Sequence, residues 1–354
     1  MALVHGPWSL ATATMTKDAG RVFSTFACGG GSTMGYKLAG FDVIGANEID
    51  PNVMEIYRNN HAPRLEFNCS IREMITAPLN DDLLDLDILD GSPPCTSFSM
   101  AGVRDRDWGE VKRFAEGQAL QRLDDLFFEL LELGRIYQPR VIVAENVTGM
   151  VLGKAKGYVG EVLKAFEAIG YRPQIFKLNA ARMGVPQARQ RLFFVATRRD
   201  LDLPKLVLNF DEPVIPFREV AAGLKSGNNK LNEDLSLSHE VWPLWNKCRP
   251  GKALSTVHPK GHYFTSTKLA MNRPAPTFVA ASGSMALHPT EQRKLTLEEW
   301  IRCSTFPDDY DWGESGATRA RWMMGMSVPP FMIQRLAIEI RKQWGSALRG
   351  GKLS

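Results

Sequence analysis

The stretch RVFSTFACGGG, residues 21–31, decides the fold. An apolar, β-rich run over Arg21–Ala27 leads directly into three consecutive glycines, and a helical pattern begins at about Met34. A glycine turn between the first strand of a parallel sheet and its helix lets the backbone approach a bound cofactor closely. The stretch therefore predicts a nucleoside-binding turn, with a simple packing turn as the alternative.

An acidic residue in the next run favours the nucleoside site. Glu48 ends the second apolar run, 18 residues after Gly30. A carboxylate at the end of that strand can bind the two hydroxyls of a ribose. The alternative is an acid that faces solvent beside the turn, but the turn and the acid together favour a nucleoside.

Strand-like and helix-like segments alternate through the first two hundred residues. Helical periodicity is clear before Pro139 and before Gly170. The alternation predicts an α/β fold, a Rossmann-like doubly wound seven-stranded sheet that is mainly parallel, with the last two strands as an antiparallel pair at its edge. The further strand-like runs are Asp42–Glu48, Leu65–Asn68, Leu86–Ser92, Arg140–Asn146, Arg172–Asn179 and Arg191–Arg198.

The chain of 354 residues is long enough for about two domains. Residues 1–20 are expected to be a loose N-terminal tail, and residues 21–198 the alternating domain. Residues 199–284 carry scattered Pro, Gly, Asn and Trp with little periodicity, which predicts a smaller irregular domain. Residues 285–354 regain helical patterns and are expected to return to the first domain.

Composition excludes several classes of protein. Hydrophobic residues make up 44% and charged residues 23%, which is typical of a globular domain rather than a disordered or fibrous chain. No apolar run is long enough for a membrane helix, and the N-terminus lacks the pattern of a secretory signal. The five cysteines and six histidines show no metal-ligand spacing, so no metal is expected, and a reducing, intracellular compartment fits best.

One segment has an uneven charge. Between Glu240 and Glu291 there is no acidic residue, although the whole chain carries a net charge of only +4. A segment without carboxylates is typical of a surface that contacts phosphates. A basic face that is simply solvated explains the same charge pattern equally well. Its six cationic residues are Lys247, Arg249, Lys252, Lys260, Lys268 and Arg273.

The fourth strand-like run leads into a candidate nucleophile. It continues as Ser92-Pro93-Pro94-Cys95, and the two prolines stiffen the chain just before the thiol. Most single cysteines are inert and buried, so the motif alone is weak. The following loop, residues 96–113, is long and polar, as expected of a lid over a charged substrate, and it contributes Ser97, Ser99, Arg104 and Arg106.

Two further motifs carry candidate acid–base and cationic groups. Glu145 and Asn146 end the fifth run, where burial favours the protonated form of a carboxyl group. Gln187, Arg189 and Arg191 alternate, so an extended segment would place them along one cleft wall. A capping glutamate and surface arginines are the alternatives.

Taken together, these motifs resemble the DNA (cytosine-5)-methyltransferases in order and spacing. The resemblance extends from about Arg21 to Arg341, and the proline–cysteine and glutamate–asparagine–valine motifs are its most specific part. It implies a class I methyltransferase fold in which residues 199–284 form the target-recognition domain. The matching stretches are Phe26–Gly31, Glu48–Asp50, Pro93–Cys95, Glu145–Val147, Gln187–Arg191, Arg293–Pro307 and Val328–Pro330.

The resemblance implies a mechanism for methylating C5 of cytosine in duplex DNA. Cys95 attacks C6 of a flipped-out base, Glu145 donates a proton to N3, and Arg189 and Arg191 contact the cytosine O2 and nearby phosphate. The carbonyl of Pro94 and the side chain of Asn146 assist, the first as an acceptor for the amino group and the second by orienting the turn before Cys95. The methyl donor would be S-adenosylmethionine.

Three departures from the family pattern fall on the cofactor side. Cys28 replaces a turn glycine, Ser70 stands where an acid would meet the adenine amino group, and Met326 replaces an asparagine. Thr96 replaces the glutamine after the nucleophile. We expect weakened cofactor binding rather than lost chemistry. The implied cofactor-binding residues are Phe26, Ala27, Cys28, Gly29, Gly30, Gly31, Glu48, Ile49, Ser70, Ile71, Ser92, Pro93, Met326, Ser327 and Val328.

Two other functions stay open on the sequence. Related enzymes use the same groups to methylate cytosine in tRNA, and a catalytically silent DNA-binding regulator would keep the fold. The leading interpretation implies a monomer, double-stranded DNA as partner, a cognate restriction endonuclease as a candidate second partner, and the cytoplasm of a prokaryotic or phage-infected cell.

Overall fold

The computed structural model describes residues 6–94, 111–112, 121–122, 126–151, 155–224, 233–280 and 283–348, with the backbone alone at 111–112, 121–122, 155–156 and 315. Cys95 and the loop residues Ser97, Ser99, Arg104 and Arg106 lie outside these ranges. The chain divides into two compact units. The sheet unit comprises Thr14–Leu178, Gln190–Asn209 and Ile333–Ser354, and the second unit comprises Met1–Ala13, Asn179–Arg189 and Phe210–Met332.

The sheet unit contains the predicted seven-stranded sheet. Its strand order is β3-β2-β1-β4-β5-β7-β6, and the four pairings that join β3, β2, β1, β4 and β5 are parallel. Strand β7 runs antiparallel to β5, and it lies beside the edge strand β6 as predicted. The strands are β1 Arg21–Thr25, β2 Asp42–Asn47, β3 Leu65–Phe67, β4 Ile88–Gly91, β5 Val141–Val147, β6 Tyr171–Asn179 and β7 Gln190–Arg198.

Helices connect the parallel strands and cover the sheet. The predicted periodic segments form α4 and α5, whose apolar faces pack through Phe127 and Phe166 on Phe194 of β7. The predicted helix after the glycine turn is α1. The helices of this unit are α1 Gly31–Leu38, α2 Pro51–His61, α3 Ile71–Thr76, α4 Leu126–Tyr137 and α5 Ala155–Ala168, and α10 (Pro330–Leu348) contributes its residues from Ile333 onward.

The order of the strands reverses between β1 and β4. The loops that leave the carboxyl ends of these two strands therefore diverge, and they open the crevice in which doubly wound sheets bind ligands. These loops carry residues 26–31 and residues 92–94. The fold thus places the glycine turn beside the segment that leads to Cys95.

The second unit is irregular, with short helices and two-residue strands. A small apolar core forms where Leu244 and Trp245 pack with Leu254 and Leu287. Its helices are α6 Phe217–Ala221, α7 Val241–Lys247, α8 Leu297–Ser304 and α9 Gly316–Met326. Its paired strands are Gln187–Ala188 with Ala275–Pro276, and Thr267–Lys268 with both Lys252–Ala253 and Ala286–Leu287.

The expectation of a loose N-terminal tail is wrong from Trp8 onward. Trp8 is buried, its indole N–H donates to the carbonyl of Thr305 at 2.9 Å, and its ring packs on Phe331. A tryptophan buries a large apolar area, so one such residue is enough to hold the segment. The predicted boundaries at residues 198 and 284 concern functional segments and stay predictions.

An unexpected carboxyl group lies inside the sheet unit. Asp90 of β4 is buried, and it accepts hydrogen bonds from the Ser24 hydroxyl of β1 and the Tyr36 hydroxyl of α1, both at 3.1 Å. Burial raises the pKa of Asp90 to about 7, although these hydroxyls oppose the shift. The folded protein therefore keeps a proton that the unfolded chain releases near its ordinary value of 3.8.

This buried acid predicts how stability depends on pH. Between about pH 4 and pH 7 the folded state binds more protons than the unfolded state. Asp90 therefore makes the free energy of unfolding fall as the pH rises, by at most about 1.4 kcal/mol per pH unit. Asp90→Asn removes this contribution. Urea unfolding of both proteins should show that the variant gains stability relative to the parent between about pH 5 and about pH 8. An equal stability difference at both pH values would contradict the assignment.

Candidate active site

The glycine turn after β1 has a backbone that L-residues rarely adopt. Phe26, Cys28 and Gly30 all have positive φ angles, of 51°, 45° and 68°. Gly30 is also fixed by packing, because a Cβ there would lie 2.1 Å from Nε2 of His61. Cys28 holds the left-handed conformation despite its side chain, which costs about 1–2 kcal/mol in a residue other than glycine.

Glu48 connects this turn to α2. Its two carboxylate oxygens accept the N–H groups of Cys28 at 2.9 Å and of Asp50 at 3.0 Å. Burial raises the pKa of Glu48, and the two backbone donors oppose that shift. Each oxygen keeps a second lone pair, so the predicted contact with ribose hydroxyls is compatible with these bonds.

Ser70 begins α3 through a reciprocal cap. Its hydroxyl accepts the N–H of Glu73 at 3.2 Å, and the Glu73 carboxylate accepts the N–H of Ser70 at 2.8 Å. An aspartate would cap the helix equally well. The serine therefore keeps the local structure and omits only the negative charge that the family pattern places there. Ile71, the next residue, is buried.

The segment before Cys95 is held by the end of β5. The Asn146 amide donates to the carbonyl of Pro93 at 3.2 Å, and its side-chain oxygen accepts the N–H of Val147 at 2.8 Å. Gly91 of β4 lies opposite Ala144 of β5, so Ser92–Pro94 leaves the sheet beside Glu145 and Asn146.

Glu145 and Arg191 form an ion pair on the same face of the sheet. The Arg191 Nε lies 2.7 Å from Oε1 of Glu145, and only 13% and 11% of the two side chains is exposed. On antiparallel β7, Arg191 is opposite Val147 and Phe193 is opposite Glu145, so the two charged side chains are diagonal neighbours. Burial lowers the pKa of Arg191, and the Glu145 carboxylate opposes that shift.

Arg189 does not line a cleft, and the prediction that it contacts cytosine is wrong. The residue is buried, and its guanidinium donates to the carbonyls of Phe278 at 3.2 Å, Gly325 at 3.0 Å and Met326 at 3.3 Å. Alternation failed because the extended chain is interrupted here. The Arg189 N–H donates to the carbonyl of Gln187 at 2.9 Å, a tight turn that separates the two-residue strand from β7.

The residues clamped by Arg189 include the predicted cofactor positions of the second unit. Met326 is 44% exposed, whereas Ser327 and Val328 are buried. Gly325 is required by a close approach, because a Cβ there would lie 2.8 Å from the backbone nitrogen of Ala280. Arg189 thus stabilises the end of α9.

Five of the six cations in the acid-free segment are exposed: Lys247, Arg249, Lys252, Lys260 and Arg273. Lys268 is the exception, and its prediction as a phosphate contact is wrong. Its ammonium group lies 3.6 Å from the centre of the Trp245 ring and donates to the Trp245 carbonyl at 3.1 Å. Such a lysine stabilises the small core of the second unit.

Within the same segment, a compact loop runs from His258 to Phe264. Nδ1 of His258 accepts the N–H groups of Lys260 at 3.1 Å and His262 at 3.2 Å, and the two imidazole rings stack with centroids 4.7 Å apart. Phe264 is 61% exposed at the end of the loop. The acid-free segment therefore carries an exposed aromatic side chain as well as exposed cations.

The conformation of Cys28 gives a direct prediction. Cys28→Gly should increase the free energy of unfolding by about 0.5–1 kcal/mol, because relief of the left-handed strain exceeds the entropy that glycine adds to the unfolded chain. Cys28→Ala is the matched control, since it removes the thiol and keeps the strain. A gain for alanine equal to that for glycine in chemical denaturation would show that the thiol, not the backbone, is unfavourable.

Comparisons with known proteins identify the family of the chain. Residues 20–342 match the family described as C-5 cytosine-specific DNA methylase. The type II methyltransferase M.FnuDI of Fusobacterium nucleatum is 28% identical, with 91% of this chain and 94% of that protein covered. The type II methyltransferase M.NgoPII of Neisseria gonorrhoeae is 26% identical, with 91% of this chain and 95% of that protein covered.

Solved structures show the same fold at lower identity. A prophage-encoded E. coli protein superposes with a TM-score of 0.70 and 19% identity, covering 91% of this chain and 99% of that one. The S. pombe Dnmt2 methyltransferase superposes with a TM-score of 0.60 and 18% identity, covering 92% of this chain and 98% of that one.

The described helices include none long and apolar enough to cross a membrane, and the described His, Cys, Asp and Glu side chains form no cluster of three or more suited to a metal ion. The chain belongs to the C-5 cytosine-specific DNA methylases and is a methyltransferase of the class I fold.

Proposed function

We propose that this methyltransferase transfers the methyl group of S-adenosylmethionine to C5 of a flipped-out cytosine in duplex DNA, through a covalent bond between Cys95 and C6. The observation that carries the proposal is the arrangement at the end of β5. There, Asn146 holds the Pro93 carbonyl two residues before Cys95, and Glu145 is paired with Arg191. A nucleophile, a proton donor and a cation are the three groups that this addition requires.

Protons and charges balance through the proposed reaction. The Cys95 thiolate adds to C6, and Glu145 gives its proton to N3, so that no net negative charge stays on the ring. When bound, S-adenosylmethionine supplies the electrophilic methyl group that C5 accepts. A base then removes the C5 proton, the bond between Cys95 and C6 breaks, and Glu145 recovers its proton from N3. Arg191, which orients Glu145, is proposed to contact the cytosine O2.

The donor-binding residues are proposed to be those around the turn after β1 and the ends of β2 and β3. The turn over Phe26–Gly31, with positive φ angles at Phe26, Cys28 and Gly30, follows β1 at the ligand crevice, and Glu48 offers a carboxylate for two hydroxyls. Ser92 and Pro93 follow β4 at the same end of the sheet. Because Ser70 is neutral and Cys28 is strained, we propose that the donor binds more weakly than it would to an aspartate and a glycine at these positions.

We propose that residues 199–284 recognise the target DNA. The exposed cations of the acid-free segment would contact phosphates, and the loop from His258 to Phe264 would meet the bases. Ser97, Ser99, Arg104 and Arg106 are proposed contacts from the loop after Cys95. Two relatives are type II methyltransferases, and from them we propose a cognate restriction endonuclease as partner, a monomeric enzyme and the cytoplasm as its location.

Methylation of DNA in an expressing host tests the activity and finds the target. Bisulfite sequencing of the host genome should show 5-methylcytosine within one short sequence, and Cys95→Ala should abolish it without loss of folded protein. Purified duplex DNA and tRNA are then compared with labelled donor. Label on tRNA alone would support the RNA enzyme, and no label on either would support the silent regulator.

Salt dependence tests the proposed phosphate interface. Replacing Lys247, Arg249 and Lys252 by Gln should reduce the slope of log affinity against log salt by up to about 0.9 for each phosphate that is no longer neutralised. Lys342→Gln is the control, because it removes one positive charge from the sheet unit, outside the acid-free segment, and so measures the effect of lowering the net charge of the protein by one. A slope that does not change in the triple variant would exclude these three residues from the phosphate interface.

A further inference from the structure

We propose that His61 is a positioning residue for the methyl donor, because its imidazole occupies the space that Gly30 leaves open beside the glycine turn. This inference deepens the proposed function, since it rests on the turn over Phe26–Gly31 as part of the donor site. His61 is the last residue of α2, and it belongs to none of the motifs that suggested the enzyme.

The imidazole of His61 lies directly against the turn. A Cβ on Gly30 would be 2.1 Å from Nε2 of His61, 2.6 Å from Cδ2 and 3.3 Å from Cε1. One edge of the ring thus takes the space that a side chain at residue 30 would need. Gly30 immediately precedes α1, and its carbonyl accepts the N–H of Met34 at 2.9 Å. The contact therefore acts where the turn becomes a helix.

The packing of α2 on α1 holds the ring in place. The rings of Tyr57 and His61 are buried with centroids 4.6 Å apart, and a hydrogen bond of 2.8 Å joins the Tyr57 hydroxyl to that of Thr33. The ammonium group of Lys37 donates to the His61 carbonyl at 3.1 Å. Gly30, Thr33 and Lys37 are three and then four residues apart, so they lie on one face of α1. The end of α2 is thus attached along this whole face.

The ring fills this space as a neutral group. Burial lowers the pKa of His61 well below its ordinary value of 6.5, and the positive charge of Lys37 acts in the same direction. A neutral imidazole can pack on the backbone of the turn without the cost of burying an ion. The histidine is therefore suited to fill this space and does not need to change its protonation state during the reaction.

Two side chains restrain the turn, and they differ in what they do for the donor. Glu48 accepts the N–H of Cys28 at 2.9 Å and is also proposed to bind the ribose, whereas His61 packs on Gly30 and has no proposed contact with the donor. Without the imidazole, Gly30 gains freedom that the bound donor must remove, and this ordering cost weakens binding. Once the donor is bound, the reaction at Cys95 is expected to proceed as before.

The test compares affinity for S-adenosylmethionine, measured by calorimetry without DNA, with single-turnover methyl transfer at saturating donor. In His61→Ala the dissociation constant should rise on the order of tenfold, as expected for coupling between residues in contact. The rate at saturating donor should stay close to that of the parent. His61→Gln keeps a neutral planar group of similar reach and should restore most of the affinity.

Tyr57→Phe is the matched control. It removes the hydrogen bond to Thr33, and so destabilises the same pair of helices, but it keeps an aromatic ring against His61. We expect this variant to lose stability in chemical denaturation and to bind the donor as the parent does. Equal losses of donor affinity in Tyr57→Phe and His61→Ala would overturn the inference, and so would an unchanged affinity in His61→Ala.

A second pair of variants tests the contact itself. Gly30→Ala adds the Cβ that collides with Nε2 of His61, and it should weaken donor binding more than His61→Ala does. In the double variant the shorter side chain at residue 61 makes room for this methyl group, so the two losses should be less than additive. Recovery should be partial, because alanine at residue 30 stays in the left-handed conformation. Additive losses would contradict a direct contact.

If His61→Ala does not fold, the parent protein labelled with 15N in histidine gives the test, and His61→Gln identifies the His61 signals. Saturation with S-adenosylmethionine should shift the ring signals of His61 and leave those of His239, an exposed residue of the second unit, in place. Unchanged His61 signals in protein that has bound the donor would overturn the inference.

The outcomes separate the inference from the proposed function, because donor affinity is measured without DNA. Donor affinity that depends on His61, in a protein that methylates no DNA, would refute the proposed transfer and keep the inference. Methylation of DNA by a protein whose donor affinity does not change in His61→Ala would refute the inference alone. A parent protein that binds no S-adenosylmethionine would refute both.

Discussion

The parallel pairing of β4 with β5 is the constraint on which the candidate site depends. Gly91 lies opposite Ala144, so both strands end at the same edge of the sheet. The hydrogen bond from Asn146 to the Pro93 carbonyl then fixes the chain just after β4, and Glu145 is presented one residue earlier on β5. A shift of one residue in this register would turn Glu145 to the other face of the sheet relative to β4.

The region proposed to bind the methyl donor has defined backbone contacts at two positions where its side chains depart from the family pattern. Cys28 adopts the left-handed conformation that a glycine would take without strain, and Ser70 caps α3 as an aspartate would. Glu48 retains the carboxylate at the end of β2 and uses it to hold the turn. The departures therefore concern local strain at Cys28 and local charge at Ser70.

Sequence patterns predicted the sheet well because its central strands β1, β2, β4 and β5 are short, buried, largely apolar runs, and the periodicity of α4 and α5 is strong. They failed where tertiary contacts decide. Arg189 was misplaced because a tight turn after Gln187 breaks the two-residue alternation, and Lys268 was misplaced because Trp245 buries it. Asp90 was visible as a polar residue after Ile88 and Leu89, but only the structure shows the hydroxyls from β1 and α1 that allow its burial.

The most direct test of the central claim is to trap the bond between Cys95 and cytosine. Fluorine at C5 cannot leave as a cation, so DNA that contains 5-fluorocytosine should accept the methyl group and then stay attached to the protein. We expect mass spectrometry of the digested complex to find the modified base on the peptide that contains Cys95, only when S-adenosylmethionine is present. Methylation of ordinary DNA without any adduct at Cys95 on fluorinated DNA would contradict the proposed mechanism.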